Sequence, residues 1–201
     1  MYVKSLLILI VILLLLVILY SYNLLPLSTR WSQSSVVTSN RSGQSYIEPD
    51  WGKQTKTSGC RIDGPLQDSE CTPGAIFPQA TAQEICTPGY AGSVRNVSQP
   101  LKRKVYASYG IKTRLPGQYE IDHLVSLQLG GSNDISNLWP EPEKPFPGYR
   151  QKNQVENYLH DQVCSGKISL REAQSEIATN WLQYYSQIPP DTNPNDASDE
   201  S

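Results

Sequence analysis

Two adjacent side chains in the middle of the chain, Asp122 and His123, have the chemistry of a hydrolytic centre. A neutral imidazole can take a proton from water, and a carboxylate is the kind of ligand that hard divalent cations prefer. Phosphodiester hydrolysis needs both a base and a cation, because charge develops on the phosphate and on the leaving oxygen. The pair is followed by the turn signal Gly130-Gly131 and by Asn137, which we expect to fix the loop geometry.

A strand would carry this pair. Polar and apolar residues alternate over residues 119–127, which predicts a strand, and a second short strand is predicted over 135–139. Strict alternation would send Asp122 and His123 to opposite faces. Both side chains can therefore serve one site only if the strand twists or ends at this point.

A helix predicted over residues 149–164 would complete the site. One stripe of this helix is apolar, and a second stripe is polar and consists of Asn153, Glu156 and His160. A polar stripe facing the strand could supply the remaining metal ligands. Asn153, Glu156 or His160 could be the third ligand, with Asn153 as the first choice and His160 as the second. A last helix, which begins with the capping box at Ser169 and Glu172, is interpreted as structural support.

This arrangement resembles the HNH branch of the His-Me finger endonucleases. The resemblance rests on Asp122-His123, on Asn137 fourteen residues after the histidine, and on a following helix with Asn153 and His160. It covers about residues 117–160, and residues 71–185 are more loosely similar to exported bacterial proteins of the HNH-like type.

The resemblance implies an α+β domain with a ββα-metal centre. It implies that His123 is the general base, that Asp122 is a metal ligand and that Asn137 orients the histidine, with Mg²⁺ as the expected ion. The expected function is endonuclease-like hydrolysis of DNA or RNA with low sequence specificity. Two alternatives stay open: the same fold without activity, as an exported binding or cell-envelope module, and a hydrolase of another phosphoester.

A basic segment lies directly before the predicted strand. Residues 93–118 contain no acidic residue and six basic ones: Arg95, Lys102, Arg103, Lys104, Lys112 and Arg114. Without the first 30 residues the chain has 15 basic and 19 acidic residues, so its global charge argues against indiscriminate nucleic-acid binding. Ser98 and Pro100 predict the start of a helix here, which is either a solvated surface or a contact surface for phosphates.

The four cysteines, Cys60, Cys71, Cys86 and Cys164, form an even set in a chain with an N-terminal apolar segment. This favours two disulfides over free thiols. Three pairings are possible, and we favour Cys60 with Cys71 as a local clasp and Cys86 with Cys164 as a long staple. A zinc site is disfavoured, because the sequence has no Cys-x-x-Cys pair and both histidines are far from the first three cysteines.

The N-terminal residues predict membrane targeting. Residues 6–19 are an unbroken series of Leu, Ile and Val, which indicates a signal anchor or signal peptide over residues 1–25. Residues 26–58 are polar and predict a flexible stalk, residues 59–188 the HNH-like domain, and residues 189–201 a disordered acidic tail. The domain is therefore expected to be membrane-anchored outside the cytosol or secreted. No small-molecule cofactor is expected.

Overall fold

The computed structural model of the chain describes residues 36–39 and 45–188. These residues form a small mixed α+β structure, in agreement with the predicted fold class at that level. Its strands and helices are β1 Val36–Ser39, β2 Ser45–Glu48, α1 Ala82–Ile85, α2 Tyr90–Val94, α3 Gln99–Ser108, β3 Tyr119–His123, β4 Leu138–Pro142, α4 Tyr149–Cys164 and α5 Leu170–Tyr185.

The predicted membrane segment 1–25 and the predicted tail 189–201 lie outside these described residues. Among the helices that are described, none combines the length and the apolar character needed to cross a bilayer.

Part of the predicted stalk is packed structure. Strands β1 and β2 form an antiparallel hairpin in which Tyr46 is buried. The Glu48 carboxylate forms an ion pair with Arg171 of α5, with 2.6 Å between Oε1 and Nε. The backbone N–H of Gly52 donates to the carbonyl oxygen of Gly74 at 2.8 Å. The predicted boundary at residue 59 therefore does not mark the start of the packed structure. A short hairpin was missed because residues 36–48 lack a clear alternation of polar and apolar side chains.

Three of the five described α-helices begin where a side-chain cap satisfies their first N–H groups, whereas α2 and α4 begin after a glycine. Thr81 and Glu84 form a capping box at α1, Ser98 accepts from the Leu101 N–H in α3, and Ser169 accepts from the Glu172 N–H in α5. Helix α4 spans the predicted residues. The predicted helix starts at Ser98 and Ser169 are thus confirmed.

The hairpin of β3 and β4 separates two apolar clusters. Trp139 belongs to the larger cluster, in which residues of α4 and α5 pack together, whereas Ile121 and Leu138 pack with Val105 of α3 in a smaller one. Two disulfides, Cys60–Cys71 and Cys86–Cys164, close the structure with the pairing that the sequence favoured. Disulfides of this kind are typical of proteins in an oxidising compartment.

A buried lysine and carboxylate cluster beside His123

The alternation of β3 does separate the acid from the histidine. Asp122 pairs with Trp139 across the hairpin, and His123 pairs with Leu138. Directly opposite residues share a face, and the face alternates at each residue. Asp122 and Trp139 therefore face α4, as does Glu141 two residues after Trp139. The His123 ring lies on the other side, where it meets the loop at Asn133.

Asn137 clamps the loop between the two strands. Its side chain is fully buried; the amide nitrogen donates to the carbonyl oxygens of Ser132 and Val125 at 2.8 and 3.0 Å. The amide oxygen accepts from the backbone N–H groups of Val125 at 2.9 Å and of Ala75 at 3.3 Å. One side chain thus holds both ends of the loop and a distant segment, and the loop directly follows His123.

A second amide fixes the protonation pattern of the His123 ring. Asn133 Nδ2 donates to the carbonyl oxygen of Val94 at 2.8 Å, and Asn133 Oδ1 accepts from the backbone N–H of Asn96 at 3.0 Å. These two backbone groups define which end of the amide is the oxygen. His123 Nε2, 3.2 Å from that oxygen, must therefore be the protonated nitrogen. The lone pair of the neutral ring is left on Nδ1.

The environment keeps His123 neutral. Only 2% of the residue is exposed, and burial lowers its pKa to about 4. The negative charge of Asp122 and the hydrogen bond with Asn133 oppose this shift without reversing it. The positive charge of Arg95, an exposed residue, acts with burial to lower the pKa. His123 is therefore a proton acceptor across the whole neutral range.

The face toward α4 is organised around Lys152, a residue that the sequence analysis did not single out. Its side chain is fully buried, and its ammonium group contacts three acceptors: Glu156 Oε1 at 2.5 Å, the carbonyl oxygen of His123 at 2.9 Å, and Asp122 Oδ2 at 3.1 Å. An ammonium group has three N–H donors. All three are used, and Glu141 Oε2 lies slightly farther away at 3.6 Å.

The pKa shifts in this cluster follow from one cation among three carboxyl groups. Burial opposes the charge of Lys152, but Asp122, Glu156 and Glu141 together raise its pKa well above the ordinary value. Burial also opposes the charge of Asp122, but Lys152 lowers the pKa of that carboxyl. The pKa of Glu141 is raised well above its ordinary range, chiefly by burial. Burial also raises the pKa of Glu156, but Glu156 is hydrogen-bonded to the Lys152 ammonium group, whereas Glu141 lies 3.6 Å from it. We therefore infer that Glu141 is the carboxyl group that carries a proton at neutral pH.

The residues present do not assemble the expected Mg²⁺ site. Asn153 is exposed to solvent, next to Lys152 on the helix. His160 lies eight residues beyond Lys152, which is about 12 Å along a helix axis. The helix brings Lys152 and Glu156 to Asp122 instead, and the ammonium group occupies the position between the oxygen ligands. A sequence signal for Lys152 existed, because it extends the stripe of Val155 and Leu159 toward the start of the helix.

His160 lies in a different cluster at the other end of α4. Its Nε2 is 3.5 Å from Cys164 Sγ and 3.1 Å from the carbonyl oxygen of Ile85. Ligand atoms of Cys86, His160 and Cys164 all lie within 4.8 Å of one another, which is the spacing of a group that could hold a metal ion. The two sulfur atoms are joined as the disulfide. The side chains that could bind a metal ion together with His160 are therefore Cys86 and Cys164, and not Asp122.

Four of the six predicted nucleic-acid-binding residues line one groove. The groove has a volume of about 930 Å³ and runs along α3 and β3; its basic residues are Lys102, Arg103, Lys112 and Arg114. Tyr106, Tyr119 and Tyr149 also line it, and the Arg114 guanidinium lies 3.8 Å from the centre of the Tyr106 ring. Arg95 and Lys104 are exposed outside this lining set. The groove thus combines positive charge with aromatic surface.

No protein-family model matches the chain, and no curated protein or solved structure is significantly similar to it.

Proposed function

We propose that this domain binds nucleic acid and hydrolyses its phosphodiester bonds with low sequence specificity, using His123 as the general base. The observation that carries the proposal is a neutral imidazole fixed by two amides. Asn137 holds the loop that follows His123, and Asn133 holds the ring in its Nε2–H form. The order of hairpin, clamping asparagine and helix also supports the HNH-like resemblance.

The proposed chemistry uses Nδ1 of His123. This nitrogen takes a proton from water as the water oxygen attacks phosphorus. The bond between phosphorus and one sugar oxygen breaks, and the leaving alkoxide takes a proton from solvent. The pKa of about 4 makes His123 a weak base, but one that is in its accepting form at every pH above the acidic range. The positive charges of Arg95 and Lys152 both act on His123, and Arg95, the exposed one of the two, is assigned to stabilise charge on the phosphate.

The groove of α3 and β3 would bind the strand. Basic side chains attract phosphates irrespective of the base sequence, and aromatic rings stack on any base. Phosphate contacts position a nucleic acid without specifying its sequence. The proposed low specificity follows from this type of surface.

The proposal assigns no step to Mg²⁺. Asp122, the expected metal ligand, is bound to the Lys152 ammonium group, and neither Asn153 nor His160 reaches it. A divalent ion at Asp122 would have to compete with a buried ammonium group that already has three acceptors. The predicted Mg²⁺ requirement is therefore tested separately from hydrolysis.

A second candidate is a nucleic-acid-binding module without activity. The observation that favours it is the 2% exposure of His123, since an attacking water must reach the ring. Binding along the groove needs no access to the ring. The two candidates share the groove and differ in the role of His123.

One experiment separates the candidates. Full-length oxidised protein is assayed for plasmid nicking and RNA cleavage, in Mg²⁺ and in EDTA, together with His123→Gln and the matched control His160→Gln. Loss of a general base costs about 10²- to 10⁴-fold in rate, so we expect His123→Gln to be at least about 100-fold slower and His160→Gln to retain the rate. Circular dichroism checks that both variants are folded.

The outcomes differ for each candidate. Equal cleavage by wild type and His123→Gln would remove the proposed mechanism. DNA binding that requires Lys102 and Arg114, measured by fluorescence anisotropy, without cleavage by any of the proteins would favour the binding module. Cleavage in EDTA would show that the Mg²⁺ requirement does not hold.

A further inference from the structure

The cluster at the C-terminal end of α4 has three side chains of types that commonly bind metal ions in proteins, one histidine and two cysteines. His160 and Cys164 are four residues apart on one helix, so they project from the same face. Cys86 directly follows α1 and comes from a segment 78 residues earlier. The ligand atoms of all three lie within 4.8 Å of one another.

The surroundings orient the His160 ring for coordination through Nε2. This nitrogen faces Cys164 Sγ at 3.5 Å, while Nδ1 lies 3.8 Å from the Asp161 carboxylate. Metal-bound histidines commonly donate their other ring N–H to a carboxylate. Asp161 is the carboxylate nearest to Nδ1, but it is 81% exposed and would have to come within hydrogen-bond distance to accept that proton. In the oxidised protein Nε2 is close to a carbonyl oxygen, that of Ile85, and so carries the proton. A change of tautomer would free Nε2 and place the proton beside Asp161.

We propose that reduction of Cys86–Cys164 converts this disulfide into a zinc site formed by Cys86, His160 and Cys164. A dithiol reductant supplies two electrons and two protons, the S–S bond breaks into two thiols, and the reductant becomes a disulfide. Zn²⁺ then displaces the two thiol protons and binds both thiolates and His160 Nε2. The proposal is independent of the hydrolytic function.

The donor set selects a borderline-soft ion. Two thiolates and one imidazole suit Zn²⁺, whereas Mg²⁺ prefers oxygen ligands. Three protein ligands leave a fourth position of the tetrahedron for water, and Cys164 is exposed on that side of the helix. The ion would join α4 to the end of α1, the two segments that the disulfide joins in the oxidised protein.

The test uses full-length protein reduced with a trialkylphosphine, which becomes a phosphine oxide with an oxygen atom from water and leaves no competing thiol. Zn²⁺ is titrated by calorimetry, and Co²⁺ serves as a spectroscopic probe through its thiolate charge-transfer absorption. We expect one ion per reduced chain and none at this site in the oxidised chain. His160→Gln should weaken Zn²⁺ binding by at least about 10-fold. Loss of a residue that only hydrogen-bonds to a metal ligand already weakens metal binding by about that much, and loss of a ligand itself should weaken it more.

Paired cysteine variants control for the second disulfide. Reduced Cys60→Ser/Cys71→Ser should keep the zinc site, and reduced Cys86→Ser/Cys164→Ser should lose it. Zinc binding that survives the second change, or that is equally tight in His160→Gln, would overturn the proposal. The His160→Gln protein keeps both disulfides, so its fold can be verified in the oxidised state even if a cysteine variant does not fold.

Discussion

The two ends of α4 are attached to the rest of the domain by different interactions. At its N-terminal end, Lys152 is fully buried and its charge is balanced by the carboxylates of Asp122 on β3 and Glu156 on the helix itself. At its C-terminal end, Cys164 is exposed and the attachment is a covalent bond to Cys86. The first attachment depends on excluding water, whereas the second depends on the redox state of the surroundings.

The two ends of α4 also differ in the ligand atoms that they could offer to a metal ion. The N-terminal cluster has the oxygen ligands of a hard-cation site, but it already contains a cation. The C-terminal cluster has no cation and offers sulfur and nitrogen ligands once its disulfide is open. The sequence analysis grouped His160 with Asp122, whereas the structure places the two at opposite ends of α4, because residues on one stripe of a helix need not face the same partner.

The largest effect is expected at the covalent end. The disulfide Cys86–Cys164 closes a loop of 78 residues, and Cys60–Cys71 closes one of 11. In the chain-entropy description, removing the long staple costs about 4.5 kcal/mol and removing the short clasp about 3 kcal/mol. Urea unfolding of the two paired Cys→Ser variants measures both. Equal losses would mean that loop length does not distinguish the two attachments.

A loss of similar size is expected at the buried end. Lys152→Met removes the cation and leaves Asp122 and Glu156 without a counter-charge, so we expect the free energy of unfolding to fall by about 3–5 kcal/mol. Lys167→Met, an exposed lysine just beyond the helix, should change it by less than about 0.5 kcal/mol. A Lys152→Met protein as stable as wild type would show that the cluster contributes nothing net.

The neutral state of His123 predicts a pH dependence. Its pKa is about 4 in the folded protein and about 6.5 in an unfolded chain, so the unfolded state binds the proton more strongly. The stability contributed by His123 is therefore present above about pH 6.5 and is lost as the pH falls toward 4, by about 3 kcal/mol in all. Unfolding curves of wild type and His123→Gln isolate this term, because acid effects on Asp122 are common to both. Parallel pH profiles would contradict the assignment.

The smallest effect is expected for Glu141→Gln. If Glu141 carries a proton, the change exchanges one neutral group for another of similar shape, and stability at pH 5 should shift by less than about 1 kcal/mol. A carboxyl group with a raised pKa loses stability as the pH rises, because only the unfolded form ionises freely. The stability of Glu141→Gln relative to wild type should therefore increase between pH 5 and 8. A loss as large as that of Lys152→Met would mean that Glu141 is ionised.

The sequence predicted what local chemistry determines. The caps at Ser98 and Ser169 correctly predicted the starts of two helices, and the alternation over β3 correctly indicated that Asp122 and His123 separate. The favoured pairing of Cys86 with Cys164, which joins the early part of the domain to the end of α4, is confirmed.

The parts that could not be predicted depend on contacts between distant segments. Lys152 extends the apolar stripe of α4, but its role could not be predicted because two of its three acceptors, Asp122 and the carbonyl oxygen of His123, lie on β3, about 30 residues earlier in the chain. Cys86 is far from His160 along the chain, and only the packing of α1 against α4 brings the two side chains together. Asn133 offered no pattern at all, since its role requires Val94 and Asn96 to reach it.

The side chain of Asn137 couples the local opening of two segments that are distant in sequence. It connects Ala75 to Val125, at sequence separations of 62 and 12 from itself, so neither segment can detach without breaking the same amide contacts. Hydrogen exchange of both backbone N–H groups should then report a single opening event with one common free energy. The segment around residue 75, which precedes every strand and helix of the site, would belong to the same cooperative unit as the loop after His123.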